Sequence, residues 1–343
     1  MVSTTLDTAR TVPPGLPMLR RCLVVAFVGA MIAAPLGVGD YYLHAMIIAM
    51  IFLLPAHGLN LILGYTGMLS LAQGVFFGIG AYAAGLLSLH FQTPFVVDLF
   101  AGGVIAALIA LPLGVPALRL KTYSFVMCTL GLVVIAQTVS KNWISLTRGD
   151  MGLYGIPYPS FSLGGRSIDF STIPAFYYLA LTVAAAATAV FYAIIKSPAG
   201  RAMIAIRDDE TLAESLGIPT WRYKLIVFTL SAAFAGVGGA VYAHYMTVVS
   251  PLVFQTYYSN TILIIVLGGG VGRVPGAIIG SLLFVGLSEA LRITPELRMI
   301  IYGLVLLVLV FVFPKGIAPL LDQVVEAMCK WRLPKKTGDQ HAN

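Results

Sequence analysis

The sequence predicts an all-α fold: a polytopic bundle of transmembrane helices with about ten spans and both termini in the cytoplasm. Three observations carry that prediction. Hydrophobic residues fill 59% of the 343 positions and charged residues 10%, where a soluble domain would carry about a quarter charged. Apolar runs such as 23–38 and 299–313 are continuous, which suits helices and not the alternating segments of about ten residues that build a transmembrane β-barrel. Charge is concentrated in one stretch, Lys196 to Lys224, between long apolar segments.

Taken in order, residues 1–21 form a polar cytoplasmic tail with Pro13, Pro14 and Pro17, closed by Arg20-Arg21. A cleaved signal peptide has a similar outline, but the apolar run that follows is about 17 residues, long enough to span, and more spans come after it. Apolar run length places helices near 22–39, 42–63, 66–89, 95–118, 123–140, 174–195, 224–247, 258–271, 275–292 and 297–313. The eighth is short, as a broken or re-entrant helix would be. Residues 22–317 thus make the membrane domain, and 318–343 a second cytoplasmic tail.

With this threading, sixteen of the 21 lysines and arginines fall on the side of the N-terminus. The positive-inside rule then puts both termini and the 196–224 segment in the cytoplasm. The same distribution accounts for the net charge of +7 without nucleic acid, since no basic stripe with interleaved aromatics occurs. The 35 glycines and 19 prolines fit membrane helices, where small residues allow close approach.

Residues 141–173, rich in Gly, Pro, Ser and aromatics, read as a structured extracytoplasmic loop, either a docking surface for an extracellular partner or a lid over helix ends. Small residues at spacing four suggest packing faces: Ser70, Gly74 and Gly78, and then Gly268, Gly272, Gly276 and Gly280, the latter divided by Pro275.

Catalytic and cofactor signatures are missing. There is no G-x-x-x-x-G-K-[ST] and no Gly-Lys pair, so this chain does not itself cradle nucleotide phosphates; H-E-x-x-H and G-x-S-x-G are absent too. No metal site and no catalytic residue are expected. Cys22, Cys128 and Cys329 are odd in number and distant, and read as packing residues. His44, His57, His90, His244 and His341 read as interfacial or hydrogen-bonded histidines. The apolar interiors hold few ionisable groups, which disfavours an ion-coupled secondary transporter. Glu289 and Arg292 are spaced to pair locally. Neutral polar residues are the candidates for lining a pathway or bridging helices: Asn60, Thr66, Ser70, Gln73, Thr129, Gln137 and Asn260.

The charged segment itself predicts a short helix outside the membrane. Asp208 is placed to cap it, with Asp209 and Glu210 in the first turn where carboxylates favour the helix dipole. Leu212 and Leu216 share one face, Gly217 stops the helix and Pro219 follows. An exposed apolar face of this kind suits a groove on another protein.

The stretch SPAGRAMIAIRDDETLAESLGIPTWRYKLIVFTLSAAFAGVGGAVYAHY resembles the cytoplasmic loop and following helix of LivM-type permease subunits of branched-chain amino-acid ABC importers. The likeness continues through 59–87, 117–134, 146–157, 262–283 and 296–317, sparing little beyond the two tails. The resemblance implies an inner-membrane permease that engages two separate ATPase subunits, which bind the ATP and Mg²⁺. It further implies a homologous second permease and a periplasmic or surface substrate-binding protein. Arg201, Arg207, Asp208, Glu210, Ala213, Glu214 and Gly217 match the family's ATPase-contacting pattern. Residues 211–213 read Thr-Leu-Ala, a departure from the broader E-A-A-x-x-x-G signature of importers, so Leu212 enlarges the contact face. Relatives of this kind also serve urea, amides and aromatic acids. A secondary transporter and an integral-membrane enzyme are the competing classes.

Overall fold

The computed structural model describes residues 16–163 and 166–290, together with 304, 307, 311, 316 and 317. The chain divides into two compact units, Met1–Gly37 with Pro319–Asn343, and Val38–Ala318. The first contributes α1 (Leu16–Gly37). This helix begins within the stretch read as a polar tail, with Pro17 at its start, where a missing N–H costs nothing and the fixed φ suits a helix.

The second unit is an all-α bundle: α2 (Asp40–Leu59), α3 (Gln73–Phe91), α4 (Phe95–Ala117), α5 (Thr122–Asn142), α6 (Ile144–Thr147), α7 (Ile173–Lys196), α8 (Pro198–Asp208), α9 (Glu210–Ser215), α10 (Thr220–Met246), α11 (Thr256–Gly269) and α12 (Val274–Ala290). Six helices among the described residues are long and apolar enough to cross a membrane: Asp40–Gly64, Gln73–Phe91, Phe95–Ala117, Tyr123–Asn142, Ile173–Lys196 and Thr220–Met246. The eighth sequence segment contains α11, 14 residues long and preceded by a 3₁₀ turn at Pro251–Phe254, which is shorter than the ~20 residues a span needs. Of the helix expected at 297–313 only residues 304, 307 and 311 are described, each of them helical, and the Glu289–Arg292 pairing lies outside the described residues.

Helix α10 is central, packing on α2, α3 and α4. Its GVGG run makes this possible, because a Cβ on Gly236 would strike the Gly102 backbone and one on Gly239 the Phe77 carbonyl. On the facing helices, a Cβ on Gly80 would collide with Gly236 and one on Gly58 with Ser231. Here close packing depends on backbones touching, the device that substitutes for hydrophobic driving force in lipid. The stripes read from spacing are redistributed. Gly74 abuts Ser259 and Gly78 the Phe254 ring, but Ser70 precedes α3 and shares no helical face with them. Gly276 and Gly280 approach Gly269 and Ile265 across the α11–α12 hairpin, whereas Gly272, at φ +75°, lies in the turn between these helices.

Two boundaries differ from expectation. The third helix starts at Gln73 and not near 66. Helix α2 instead runs on into a π turn at Asn60–Gly64, and Gly67 at φ +73° diverts the chain. Left-handed backbone ends a helix regardless of how apolar the neighbours are. The 141–173 stretch is folded. A two-residue strand β1 (Leu153–Tyr154) pairs with β4 (Val248–Val249), and β2 (Ser160–Leu163) pairs antiparallel with β3 (Arg166–Asp169). Leu153 and Ile156 are buried, and Ile156 N donates to Thr247 O, so the loop folds back onto the end of α10.

Candidate functional site

The segment 197–224 forms two consecutive helices, α8 and α9, joined at an extended Asp209 (φ −157°, ψ 109°). Ser197 caps α8 by accepting from Gly200 N at 3.3 Å, with Pro198 at the first helical position. Met203 and Ile206 are buried, so α8 lies against the bundle. It went unnoticed in the sequence because its apolar positions are few and interrupted by Arg201 and Arg207.

The cap of α9 is Asp209 and not Asp208: its Oδ1 accepts from Leu212 N at 3.0 Å. Asp208 still belongs to α8, where its Oδ1 accepts from Arg207 Nε and Nη2 at 3.2 and 3.1 Å. The geometric reason is the break at Asp209, since an N-cap must have extended backbone. The helix ends in a Schellman motif, with Ile218 N donating to Ala213 O at 3.1 Å and Gly217 N to Glu214 O at 2.9 Å. Gly217 occupies φ +84°, the conformation that this closure requires and glycine adopts without penalty.

What α9 presents outward is decided by which residue it buries. Ala213 is 2% exposed, while Leu212 and Leu216 are 58% and 72% exposed. Glu214 accepts from Thr220 Oγ1 at 2.6 Å, and Glu210 is ion-paired with Lys224. These contacts close α9 back on the start of α10. Two apolar side chains therefore project from a short helix whose polar groups are satisfied, with exposed Arg201, Asp208 and Glu214 around them. A cleft of about 460 Å³ opens beside it, lined by Met68, Leu118, Lys121, Tyr123, Glu210 and Lys224 among others.

Of the neutral polar residues, Asn60, Gln73 and Thr129 bridge distant segments, while Thr66 and Ser70 bond locally. Asn60 accepts from Gly272 N at 2.7 Å and donates to Arg273 O at 3.0 Å. Thr66 donates to Ile62 O at 2.7 Å, and Ser70 accepts from Ala72 N at 3.3 Å. Gln73 Nε2 donates to Ser231 Oγ, leaving its buried Oε1 without a hydrogen bond. Thr129 accepts from Leu71 N at 3.2 Å and donates to Val126 O at 2.8 Å. Gln137 is half-buried and Asn260 exposed. The structure thus brings Ser70, Gln73 and Thr129 to one region, around the entry to α3, and leaves Asn60 at a different junction.

One buried pairing was not read from the sequence, although His244 was expected to be hydrogen-bonded and is. Asp98 and His244 are 0% and 2% exposed, with His244 Nε2 3.1 Å from Asp98 Oδ2. His244 Nδ1 lies 2.9 Å from Pro157 O, and Thr93 Oγ1 donates to Asp98 Oδ1. An acid inside an otherwise apolar predicted span was the available signal. Among the described residues, no group of three or more His, Cys, Asp or Glu could hold a metal ion.

Against this geometry, the family profile described as "Branched-chain amino acid transport system / permease component" matches residues 41–310. The chain belongs to that permease family. It is 31% identical over 325 residues to the high-affinity branched-chain amino acid transport system permease protein LivM of Escherichia coli K12, covering 89% of this chain and 76% of the relative. Similarity extends to LivH of the same organism, at 28% over 287 residues, 78% of this chain and 90% of the relative. The ribose import permease RbsC of Bacillus subtilis is 26% identical over 159 residues, 43% of this chain and 49% of its own. No solved structure matches the chain. As a member of the family it is an ABC transporter permease and a multi-pass membrane protein, with relatives that are transport permeases and not enzymes.

Proposed function

We propose that this chain is the membrane-spanning permease subunit of an ATP-driven importer in the bacterial inner membrane. It forms the translocation pathway for branched-chain amino acids or a related small polar solute such as urea, an amide or an aromatic acid. It carries no ATPase activity of its own. Two ABC ATPase subunits hold ATP and Mg²⁺, a homologous second permease completes the membrane pathway, and a periplasmic or surface binding protein delivers solute. The chain crosses the bilayer about ten times with both termini cytoplasmic.

The observation that carries this reading is the exposed Leu212–Leu216 face of α9. A helix shorter than two turns has little intrinsic stability, yet this one is closed at both ends and held to α10 through Glu214 and Glu210. That arrangement supports a rigid knob offered to a groove on a partner, with Arg201, Asp208, Glu210 and Glu214 on the flanks, Ala213 and Gly217 setting its seat and its stop, and Arg207 turned away from the partner to the carbonyl of Gly64 in the bundle. Movement of the ATPases would push this knob, and the packed helices would turn the push into inward or outward opening.

The test is co-purification of the ATPase subunits with the permease carrying Leu212→Glu and Leu216→Glu. Loss of the ATPases at normal permease abundance supports the reading, and undiminished co-purification refutes it. The Asp98–His244 pair gives a specific reason to weigh ion-coupled transport as a second reading, because secondary transporters bind protons at buried ionisable groups. The pair is engaged by Thr93 and Pro157, which supports a bridging role instead.

A further inference from the structure

Arg207 stands where the charged segment meets the bundle. Its guanidinium is forked: Nε and Nη2 hold Asp208 Oδ1, and Nη1 donates to the carbonyl of Gly64 at 2.8 Å. Among the described residues, the other side-chain hydrogen bonds of 197–224 stay local: those of Asp209, Glu214, Ser215 and Lys224 close on the segment itself, and Ser197 bonds Gly200 N and, one turn back, Ile194 O. Gly64 ends the π turn, so its carbonyl is one of those a helix leaves without an internal partner, at the end where a cation is favoured.

The far side of Gly64 is equally constrained. A Cβ on this residue would run into Gly272 and the Asn60 side chain, so the end of α2 and the α11–α12 turn touch backbone to backbone. Four residues earlier, Asn60 grips that turn by both Gly272 N and Arg273 O. Tyr65 OH adds a bond to Gly272 O at 3.1 Å, and Ile317 N donates to Gly268 O at 2.9 Å just before the turn. π turns recur at functional sites in helices, and this one lies between the charged segment and a hairpin of two helices.

We infer that Arg207 is a positioning residue that transmits displacement of α9 to the Asn60–Gly64 turn and, through Asn60, to the α11–α12 hairpin. The inference rests on reading α9 as the surface that meets the ATPases. Arg207 itself lies off the Leu212–Leu216 face, so it acts after docking: pushing α9 moves the end of α8, and the fork drags Gly64 and the clamped turn with it. Lysine cannot hold both ends of this fork.

The experiment uses the full importer, with its ATPases, second permease and binding protein, in proteoliposomes supplied with ATP and a labelled mixture of leucine, isoleucine and valine. Arg207→Gln is expected to assemble normally and to hydrolyse ATP at close to the parental rate, while uptake falls about tenfold or more, the scale of one charge-assisted hydrogen bond. Arg207→Lys should be intermediate, and Asn60→Leu should reproduce the uncoupling with Arg207 intact. Normal uptake by Arg207→Gln overturns the inference, as do loss of assembly and a parallel fall in hydrolysis and uptake. Where Arg207→Gln fails to accumulate, the ratio of ATP hydrolysed to solute taken up in Arg207→Lys decides: a raised ratio supports transmission and an unchanged ratio overturns it. Normal ATPase co-purification with the Leu212→Glu, Leu216→Glu permease would sink the docking reading separately. Blocked co-purification in that variant, with normal coupling in Arg207→Gln, would sink only the role of Arg207.

Discussion

Asp98 and His244 lie 146 positions apart in sequence, yet they meet in the interior with Nε2 3.1 Å from Oδ2. Pro157 O can only accept, so His244 Nδ1 is the donor in that contact, which leaves Nε2 facing the Asp98 carboxylate. This bridge joins the start of α4, the end of α10 and the 141–173 loop. Removing either partner leaves a buried polar group unpaired, which typically costs about 1–3 kcal/mol.

Thermal unfolding in detergent therefore should show a large loss for His244→Ala and for Asp98→Ala, each alone. The double substitution should lose less than the sum of the two. Strict additivity would mean that the two side chains do not depend on each other.

At Gly217 the backbone needs φ +84° but a Cβ would meet open space. Strain and not collision sets the cost, about 1–2 kcal/mol for an ordinary residue, and less for asparagine. Gly217→Asn should keep most uptake, whereas Gly217→Val should abolish it while the protein stays in the membrane. Equal uptake by the two variants would show that the α9 stop is dispensable.

The glycines at the α3–α4–α10 contact should respond differently from those facing open space. Gly80→Ala and Gly236→Ala place a methyl group against backbone, and overpacking of this kind costs about 1–3 kcal/mol or more. Gly131→Ala meets nothing within 4 Å and should be neutral or slightly stabilising. Comparing the melting temperatures of the three purified variants checks this ordering.

The β2–β3 hairpin can be excised cleanly, because Phe170 N already donates to Pro159 O at 3.1 Å across its base. Replacing 160–169 by a short Gly-Ser link should leave the β1–β4 pairing and the Asp98–His244 bridge in place. Affinity for the binding protein, measured on the complete transporter, should fall about tenfold if the loop docks it, the loss of roughly 1.4 kcal/mol. Unchanged affinity would assign the loop to covering helix ends.

Much of the bundle was legible because lipid imposes long continuous apolar runs, and these are local properties of the chain. The runs at 95–118 and 174–195 coincide with α4 and α7 to within a residue or two. The entry to α3 was not legible, since apolarity cannot distinguish a helix from the bend at Gly67. The α9 stop at Gly217 was readable for the opposite reason: glycine there answers a backbone requirement set within a few residues. Asp209 displaced Asp208 as the cap because α8, unseen in the sequence, runs through Asp208 and breaks only at Asp209.

By itself the sequence determined that the chain is an all-α membrane protein and that its charged segment carries a stopped, amphipathic helix. Composition, periodicity and capping are short-range signals, so one dimension suffices for them. Only the tertiary structure decided that α10 is the central helix, that Asn60 is a clamp and that Arg207 reaches Gly64. It also decided that Asp98 finds His244. Each of those facts joins residues far apart in the chain, and a buried polar group's partner is chosen by which helices happen to close around it.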